Sequence, residues 1–159
     1  AWFKVHYPAE YYAAYLTGRG DDFDAATVQG GIDKVKSVLD NIRAMGKEAS
    51  QKEQDTAELL HVVYEAMLRG VEFLPVDLYK SHWYQFHMED GKIRLPFSAI
   101  AGLGEAAAKG LYEAADPNDP YVSCDEIQSR AGITKAVMQS LRDLGVVDGL
   151  PETSQMTFF

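Results

Sequence analysis

Residues Pro96 to Lys109 read Pro-Phe-Ser-Ala-Ile-Ala-Gly-Leu-Gly-Glu-Ala-Ala-Ala-Lys, and the predicted fold depends on this stretch. It contains an apolar-x-Gly-apolar-Gly pattern from Ile100 to Gly104, followed at once by an alanine-rich run. Glycine permits backbone angles that a Cβ would block, so the turn can be tight and its amides can point outward. We therefore predict a glycine turn that opens a helix near Glu105.

A turn of this kind presents backbone N–H groups to an anion. The first four N–H groups of a helix have no intrahelical partner, and the helix dipole favours negative charge beside them. The pattern predicts a helix-hairpin-helix motif, which holds nucleic-acid phosphates through main-chain amides without reading bases. It is equally typical of a Gly-rich turn that only joins two packed segments, and the residues alone leave both interpretations open.

Composition indicates a folded domain with an acidic surface. The 159 residues carry a formal net charge of −9 and are 47% hydrophobic. An acidic balance is the wrong sign for a protein that binds nucleic acid mainly through a basic surface. We therefore expect any nucleic-acid binding to rest on backbone amides and to be weak without neighbouring parts.

Location and completeness are also suggested by the sequence. The lone Cys124 excludes an internal disulfide, and no apolar run is long enough to cross a membrane. We expect a cytoplasmic protein with no membrane partner. Because the chain begins at Ala1 without a methionine, we expect it to be a fragment of something larger.

Helical periodicity dominates residues 1–70. It predicts a helix over Pro8 to Leu16, a long helix that Asp24 caps and that runs to about Ala44, and a helix over Lys52 to Arg69. The last two are amphipathic and predict an antiparallel pair. Gly70 ends the third helix, and we place a boundary between two lobes there.

The pattern after Gly70 is that of short strands. Val71 to Leu74 predicts one strand, and the segments Trp83 to Met88 and Lys92 to Phe97 flank the turn Glu89-Asp90-Gly91, which predicts a hairpin. The expected fold class is therefore mainly α with a small β hairpin (α+β).

A second helix, glycine turn and helix follow the first motif. Ser123 is expected to open a helix to about Arg130, with Glu126 completing a capping box, and Thr134 to cap another helix to Leu144. Thr134 and Lys135 would then stand where Gly104 and Glu105 stand in the first unit. Two such units in tandem favour duplex DNA, since each can meet one strand.

The chain ends with Pro-Glu-Thr-Ser-Gln-Met-Thr-Phe-Phe, residues 151–159. Termini are usually polar, so these large apolar groups need a destination. Either they fold back into the core, or Gln155 with Phe158 and Phe159 forms a peptide anchor for a partner.

Several segments together are similar to one protein family. Lys-Val-His-Tyr-Pro-Ala-Glu-Tyr-Tyr-Ala-Ala-Tyr at Lys4 to Tyr15, Asp-Asp-Phe-Asp at Asp21 to Asp24, Val-Asp-Leu-Tyr-Lys-Ser at Val76 to Ser81, the glycine stretch from Pro96 to Gly104 and the terminal Gln-x-x-Phe-Phe resemble the C-terminal end of the PolC-type polymerases. These are C-family replicative DNA polymerases, the DNA polymerase III alpha subunits of Gram-positive-type bacteria. The resemblance runs in register over essentially the whole chain.

The resemblance implies three segments of different function along the chain. Residues 1–70 would be the end of the fingers domain, 71–150 a duplex-binding domain with tandem helix-hairpin-helix units, and 151–159 a tail that binds the sliding clamp, the beta subunit. The implied DNA-backbone residues are Ile100, Ala101, Gly102, Leu103, Gly104, Ala106, Lys109, Thr134 and Lys135. The implied clamp-binding residues are Gln155, Met156, Phe158 and Phe159, although the family's tail commonly has Leu followed by Phe where this chain has two phenylalanines.

The resemblance also implies that the chemistry lies elsewhere. Polymerisation needs palm-domain aspartates that hold two Mg²⁺ ions. Asp21, Asp22 and Asp24 are interpreted instead as capping and solvated charge, so this fragment should hold no catalytic residue, metal or cofactor and be inactive alone. The implied partners are the primer–template duplex, the clamp and the remainder of the polymerase chain, at a replisome on the nucleoid.

Two other functions were weighed. An acidic helical protein-interaction module without nucleic-acid binding is favoured by the charge of −9. A small independent enzyme is disfavoured because no nucleophile, base and orienting group cluster in the sequence.

Overall fold

The computed structural model describes residues 2–18 and 23–152. This part of the chain is mainly helical with one small sheet, which confirms the predicted fold class. The helices are α1 (Trp2–His6), α2 (Pro8–Thr17), α3 (Ala25–Gln29), α4 (Ile32–Met45), α5 (Gln51–Leu68), α6 (Glu105–Ala114), α7 (Cys124–Ala131) and α8 (Lys135–Asp143), with 3₁₀ turns at Gly46–Glu48 and Phe97–Ala99. The strands are β1 (Phe73–Leu74), β2 (His87–Glu89) and β3 (Lys92–Arg94).

The predicted single helix from Asp24 to Ala44 is wrong, because the chain breaks it into α3 and α4. Asp24 does cap α3, its carboxylate accepting from the Ala26 amide at 3.1 Å. At Gly31, however, φ is +93°, a backbone conformation that side chains rarely adopt. Two successive glycines, Gly30 and Gly31, weaken the helix at this point and allow the turn.

Helices α4 and α5 pack against each other, in agreement with the predicted pair. The Ser50 side chain accepts from the Glu53 amide, and the Glu53 carboxylate accepts from the Ser50 amide, so a complete capping box begins α5. The faces of the two helices that carry Val35, Leu39 and Val63 are buried. Apolar burial of this kind, more than helix propensity, holds helices of this length together.

The sheet has the order β1-β3-β2, with β1 parallel and β2 antiparallel to β3. Asp90 and Gly91 both have positive φ, as a tight hairpin with right-handed twist requires, so the predicted hairpin is confirmed. The strands are shorter than predicted. The His82 Nδ1 accepts from the amides of Tyr84 and Gln85, and this local turn replaces the first half of the expected strand.

Arg94, a buried arginine of β3, connects the β2–β3 hairpin to the residue that follows β1. Arg94 is 6% exposed; it donates two 2.7 Å hydrogen bonds to the Glu89 carboxylate and one of 2.8 Å to the Pro75 carbonyl oxygen. The hydrogen bonds from Arg94 lower the pKa of Glu89 to about 2. The pair therefore stays charged and bonded over the whole neutral range.

One hydrophobic core runs across the predicted lobe boundary at Gly70. It includes Tyr12 and Leu16 from α2 as well as Leu111 and Met138 from α6 and α8. Polar contacts cross the same line, since the Thr17 hydroxyl accepts from the Phe86 amide at 3.0 Å. The residues on the two sides of Gly70 pack together, and the division into fingers and duplex-binding domains stays a prediction.

The side chain of Gln29 also joins the two parts of the chain. Its amide nitrogen donates to the Leu144 carbonyl oxygen at the end of α8, and its amide oxygen accepts from the Val76 amide, both at 3.3 Å. Helix α3 is thereby bonded both to the segment after β1 and to the end of α8.

Helices α6 and α7 approach each other closely at Gly110. A Cβ added at Gly110 would collide with the carbonyl oxygen of Ala131, at the end of α7. No pattern in the sequence marks Gly110 as a contact. Ala108 and Leu111 of the same helix are buried in the core.

We predict that Gly110→Ala destabilises the protein. In an open helix the same change stabilises by about 1 kcal/mol. Here the collision with rigid backbone should reverse the sign and cost roughly 1–3 kcal/mol of unfolding free energy. Urea unfolding followed by circular dichroism measures it.

Gly104→Ala is the matched control, because a Cβ there meets no atom within 4 Å and φ is −76°. The control should leave the unfolding free energy almost unchanged. A Gly110→Ala protein as stable as the unsubstituted chain would show that α6 and α7 can separate at no cost.

Candidate nucleic-acid interface

The first hairpin, residues 100–104, forms a tight turn between the 3₁₀ turn Phe97–Ala99 and α6. Gly102 has a φ of +82°, and the Leu103 amide donates to the Ile100 carbonyl oxygen at 3.2 Å. Ile100 is buried and Leu103 is partly buried, so these two side chains fasten the turn to the core. Ala101, Gly102 and Gly104 are exposed, and the backbone of the turn is therefore accessible.

Helix α6 begins without a side-chain cap. Gly104 is its N-cap and has no side chain to offer, and among the described residues none caps the helix in its place. The first helical bond runs from the Ala108 amide to the Gly104 carbonyl oxygen, so the amides of residues 105–107 have no partner within the helix. An anion placed there would accept from them along the helix dipole.

The second hairpin, residues 131–134, repeats this backbone. Gly132 is left-handed with a φ of +68°, as Gly102 is, and Thr134 is the N-cap of α8, as Gly104 is of α6. Thr134 and Lys135 thus stand at the N-cap and first helical position of α8, as Gly104 and Glu105 do in α6, and the equivalence of the two units as binding sites stays a prediction. They differ in one respect: the Thr134 hydroxyl accepts from the Val137 amide at 3.3 Å and already occupies one of the free amides.

The charges beside the two hairpins differ. Lys109 is paired with Glu105 at 2.8 Å, and its ammonium also lies 4.8 Å from the centre of the Trp83 ring. The first hairpin therefore has a carboxylate, 68% exposed, in the first turn of its own helix. Lys135, at the equivalent position of α8, is exposed and makes no ion pair with any residue of the described ranges.

Arg130 fixes the second unit to the first. Its guanidinium donates to the Ala114 carbonyl oxygen at the end of α6, to the Asp119 carbonyl oxygen and to the Glu126 carboxylate, and it lies over the Tyr121 ring. It is therefore a structural arginine and is not available to a ligand.

The capping box predicted for α7 is only half present. The Ser123 hydroxyl accepts from the Glu126 amide, but the Glu126 carboxylate accepts from the Val122 amide and not from that of Ser123. The Val122 amide, followed by Arg130, lowers the pKa of Glu126. The carboxylate reaches one residue further back than the motif requires, because Arg130 also holds it.

Two backbone hydrogen bonds that the sequence does not predict support the segment before the first hairpin. The amides of Phe97 and Ser98 donate to the carbonyl oxygens of His82 and Trp83, each at 2.9 Å. Burial, and secondarily the charge of His87, lowers the pKa of His82. Its neutral ring can accept the two amides described above. A histidine next to an aromatic run was the available signal, but the pattern does not reveal what such residues hold.

The structure brings together part of the predicted site. Residues 100–104, Ala106 and Lys109 belong to the first hairpin and its helix, and Thr134 with Lys135 belongs to the second. Gln155, Met156, Phe158 and Phe159 lie outside the described residues. The nearest described residues are Pro151 and Glu152, whose carbonyl oxygens accept from the Cys124 and Asp125 amides at the start of α7.

The described ranges contain neither a metal-binding cluster nor a membrane-spanning helix. No group of three or more His, Cys, Asp or Glu side chains there is arranged to hold a metal ion. No described helix has the length and apolar character needed to span a bilayer.

Comparison with known proteins agrees with this geometry. A family model described as the helix-hairpin-helix motif matches residues 70–156. Over its full length the chain is 39% identical to the PolC-type DNA polymerase III of Thermotoga petrophila, 38% identical to that of Thermotoga maritima and 36% identical to that of Clostridium perfringens. It spans only 12%, 12% and 11% of those proteins.

The Glu105 carboxylate gives a prediction about the first amide site. Glu105→Gln removes a negative charge beside the free amides and releases Lys109, so affinity for duplex DNA should rise roughly threefold at low salt. Fluorescence anisotropy with a labelled duplex measures it. Glu113→Gln makes the same change at an exposed position near the other end of α6 and should have a smaller effect. Equal effects would mean that net charge alone governs binding.

Proposed function

We propose that this chain, which belongs to the helix-hairpin-helix motif family, is the part of a replicative DNA polymerase that holds the primer–template duplex by its phosphate backbone. The observation that carries the proposal is the uncapped start of α6 behind the Gly102 turn. The repeat of that turn at Gly132 supports it. The PolC-type names of the relatives supply the context of replication.

The mechanism would be independent of sequence. Each hairpin donates main-chain N–H groups to phosphate oxygens of one strand, and such contacts fix position without reading bases. The DNA-backbone residues would be those of the first hairpin with Ala106 and Lys109, and Thr134 with Lys135. Because the net charge is −9, each contact set should be weak alone and act together with other parts of the polymerase.

Covering the free amides tests the proposal. Gly104→Leu places a side chain beside the exposed amides at a position with open space and an ordinary φ, so the fold should survive. Losing one or two amide-to-phosphate bonds should lower duplex affinity roughly tenfold. Anisotropy measures the affinity, and urea unfolding measures stability.

Ser37→Leu, at an exposed position on α4, controls for an added apolar side chain and should not change the affinity. Gly104→Leu protein that is folded and binds duplex as tightly as the unsubstituted chain would refute the first hairpin as a phosphate site. If the unsubstituted chain itself does not bind duplex DNA, an acidic protein-interaction module becomes the better description of its function.

The intact protein would be a DNA-directed DNA polymerase, as the relatives are named. We propose that its palm, with Mg²⁺, supplies the chemistry of nucleotide addition, and that this chain has neither catalytic residues nor a cofactor of its own. It would act at the replisome on the nucleoid, joined to the remainder of the polymerase.

We further propose that Gln155, Met156, Phe158 and Phe159 bind the sliding clamp. The support lies in the sequence, where an amide and two aromatic rings suit a peptide anchor in an apolar pocket. Tethering to a clamp on DNA raises the effective concentration of duplex, which would make weak amide contacts sufficient.

Binding to purified sliding clamp tests the tail. Replacing Phe158 and Phe159 by alanine should abolish binding, because aromatic anchors dominate such interfaces. Tyr112→Ala, which truncates an exposed ring on α6, is the control and should bind as the unsubstituted chain does. Unchanged clamp binding after loss of both phenylalanines would rule out the tail as the anchor.

A further inference from the structure

A cleft of about 320 Å³ lies between the first hairpin and the start of α5. One wall is the hairpin itself, from Ile100 to Leu103, together with Ser98. The facing wall is the start of α5, which contributes Lys52 and Thr56. The cleft thus places a cationic side chain from before Gly70 opposite the exposed backbone of the hairpin.

Lys52 is free to act on an anion. It is exposed and makes no ion pair with any residue within 2–18 or 23–152. The Thr56 hydroxyl donates to the Lys52 carbonyl oxygen at 2.9 Å, which holds this turn of the helix in place. Lys109, the lysine that the sequence analysis had assigned to the phosphate, is paired with Glu105.

One carboxylate, that of Asp24, also lines this cleft. One of its oxygens accepts from the Ala26 amide and the other from the Thr27 hydroxyl, which partly offsets its charge. The cleft therefore holds one cationic group, the Lys52 ammonium, and one carboxylate bonded to α3, with the Ser98 hydroxyl and the hairpin backbone completing its polar lining.

We propose that Lys52 completes the first phosphate site, closing over a backbone phosphodiester that the first hairpin holds. The inference rests on the proposed function and adds a residue from the other side of Gly70 to it. An ammonium gives a point charge that amides lack, and its long stem can follow the strand. The DNA site is then shared between the two parts of the chain, so duplex binding should hold them together.

The test is the salt dependence of duplex binding by the full chain. Each neutralised phosphate contributes about 0.9 to the slope of log K against log salt concentration, so Lys52→Gln should reduce the slope by about 0.9 and weaken binding roughly threefold. Lys36→Gln removes the same charge from an exposed lysine on α4 and should leave the slope unchanged. Equal slopes for both variants and the unsubstituted chain would overturn the inference.

Two further comparisons distinguish a failure of this inference from a failure of the proposed function on which it rests. If Gly104→Leu weakens binding while Lys52→Gln does not, the hairpin is a phosphate site and Lys52 lies outside it. If the unsubstituted chain fails to bind duplex, the proposed function itself fails.

Inorganic phosphate, compared with chloride at equal ionic strength, distinguishes a free anion from one held in a strand. Displacement of duplex from the unsubstituted chain but not from Lys52→Gln would show that phosphate competes for a site that contains Lys52, in support of the inference; equal displacement from both would count against it.

Discussion

The contact between Gly110 and the Ala131 carbonyl oxygen is the constraint on which the two-hairpin arrangement depends. Helix α6 follows the first hairpin, and Ala131 begins the second, so this contact sets how far apart the two amide faces lie. Arg130 reinforces it by joining the last turn of α6 to α7. A tandem pair can grip two strands only if that spacing is fixed, and here it is fixed by backbone packing against backbone.

The charge around the first hairpin differs from the net charge of the whole chain. The net charge of −9 would repel DNA at long range, and the first hairpin has the carboxylates of Glu105 and Asp24 beside it as well as Lys109 and Lys52. An amide face needs no surplus of lysine, because helix dipoles and N–H groups act only at contact distance. Under the proposed function, such a surface would favour a strand that is already present over one that must be attracted from solution.

Much of the fold followed from local pattern, and what was missed depends on tertiary contact. Asp24 and Thr134 were placed correctly as N-caps, because helix capping depends on residues close together in the chain. The break at Gly31 was missed because one face of apolar residues continues across it. Gly110 gave no signal, because the Ala131 carbonyl oxygen beside it comes from another helix, and the position of Lys52 in a cleft with the hairpin likewise arises only on folding. The pairing of Lys109 with Glu105, four residues away, was compatible with the sequence but was not predicted.

The carbonyl oxygens of Pro151 and Glu152 complete the start of α7, and Glu152 also pairs with Arg142 of α8 at 3.0 Å. The residues that follow Glu152 therefore leave from a point fixed on the second hairpin unit. A pull transmitted through them would act on two backbone hydrogen bonds and one ion pair. The helix that receives this load ends at Ala131, beside Gly110, so a force on the end of the chain would be carried to the junction that spaces the two hairpins.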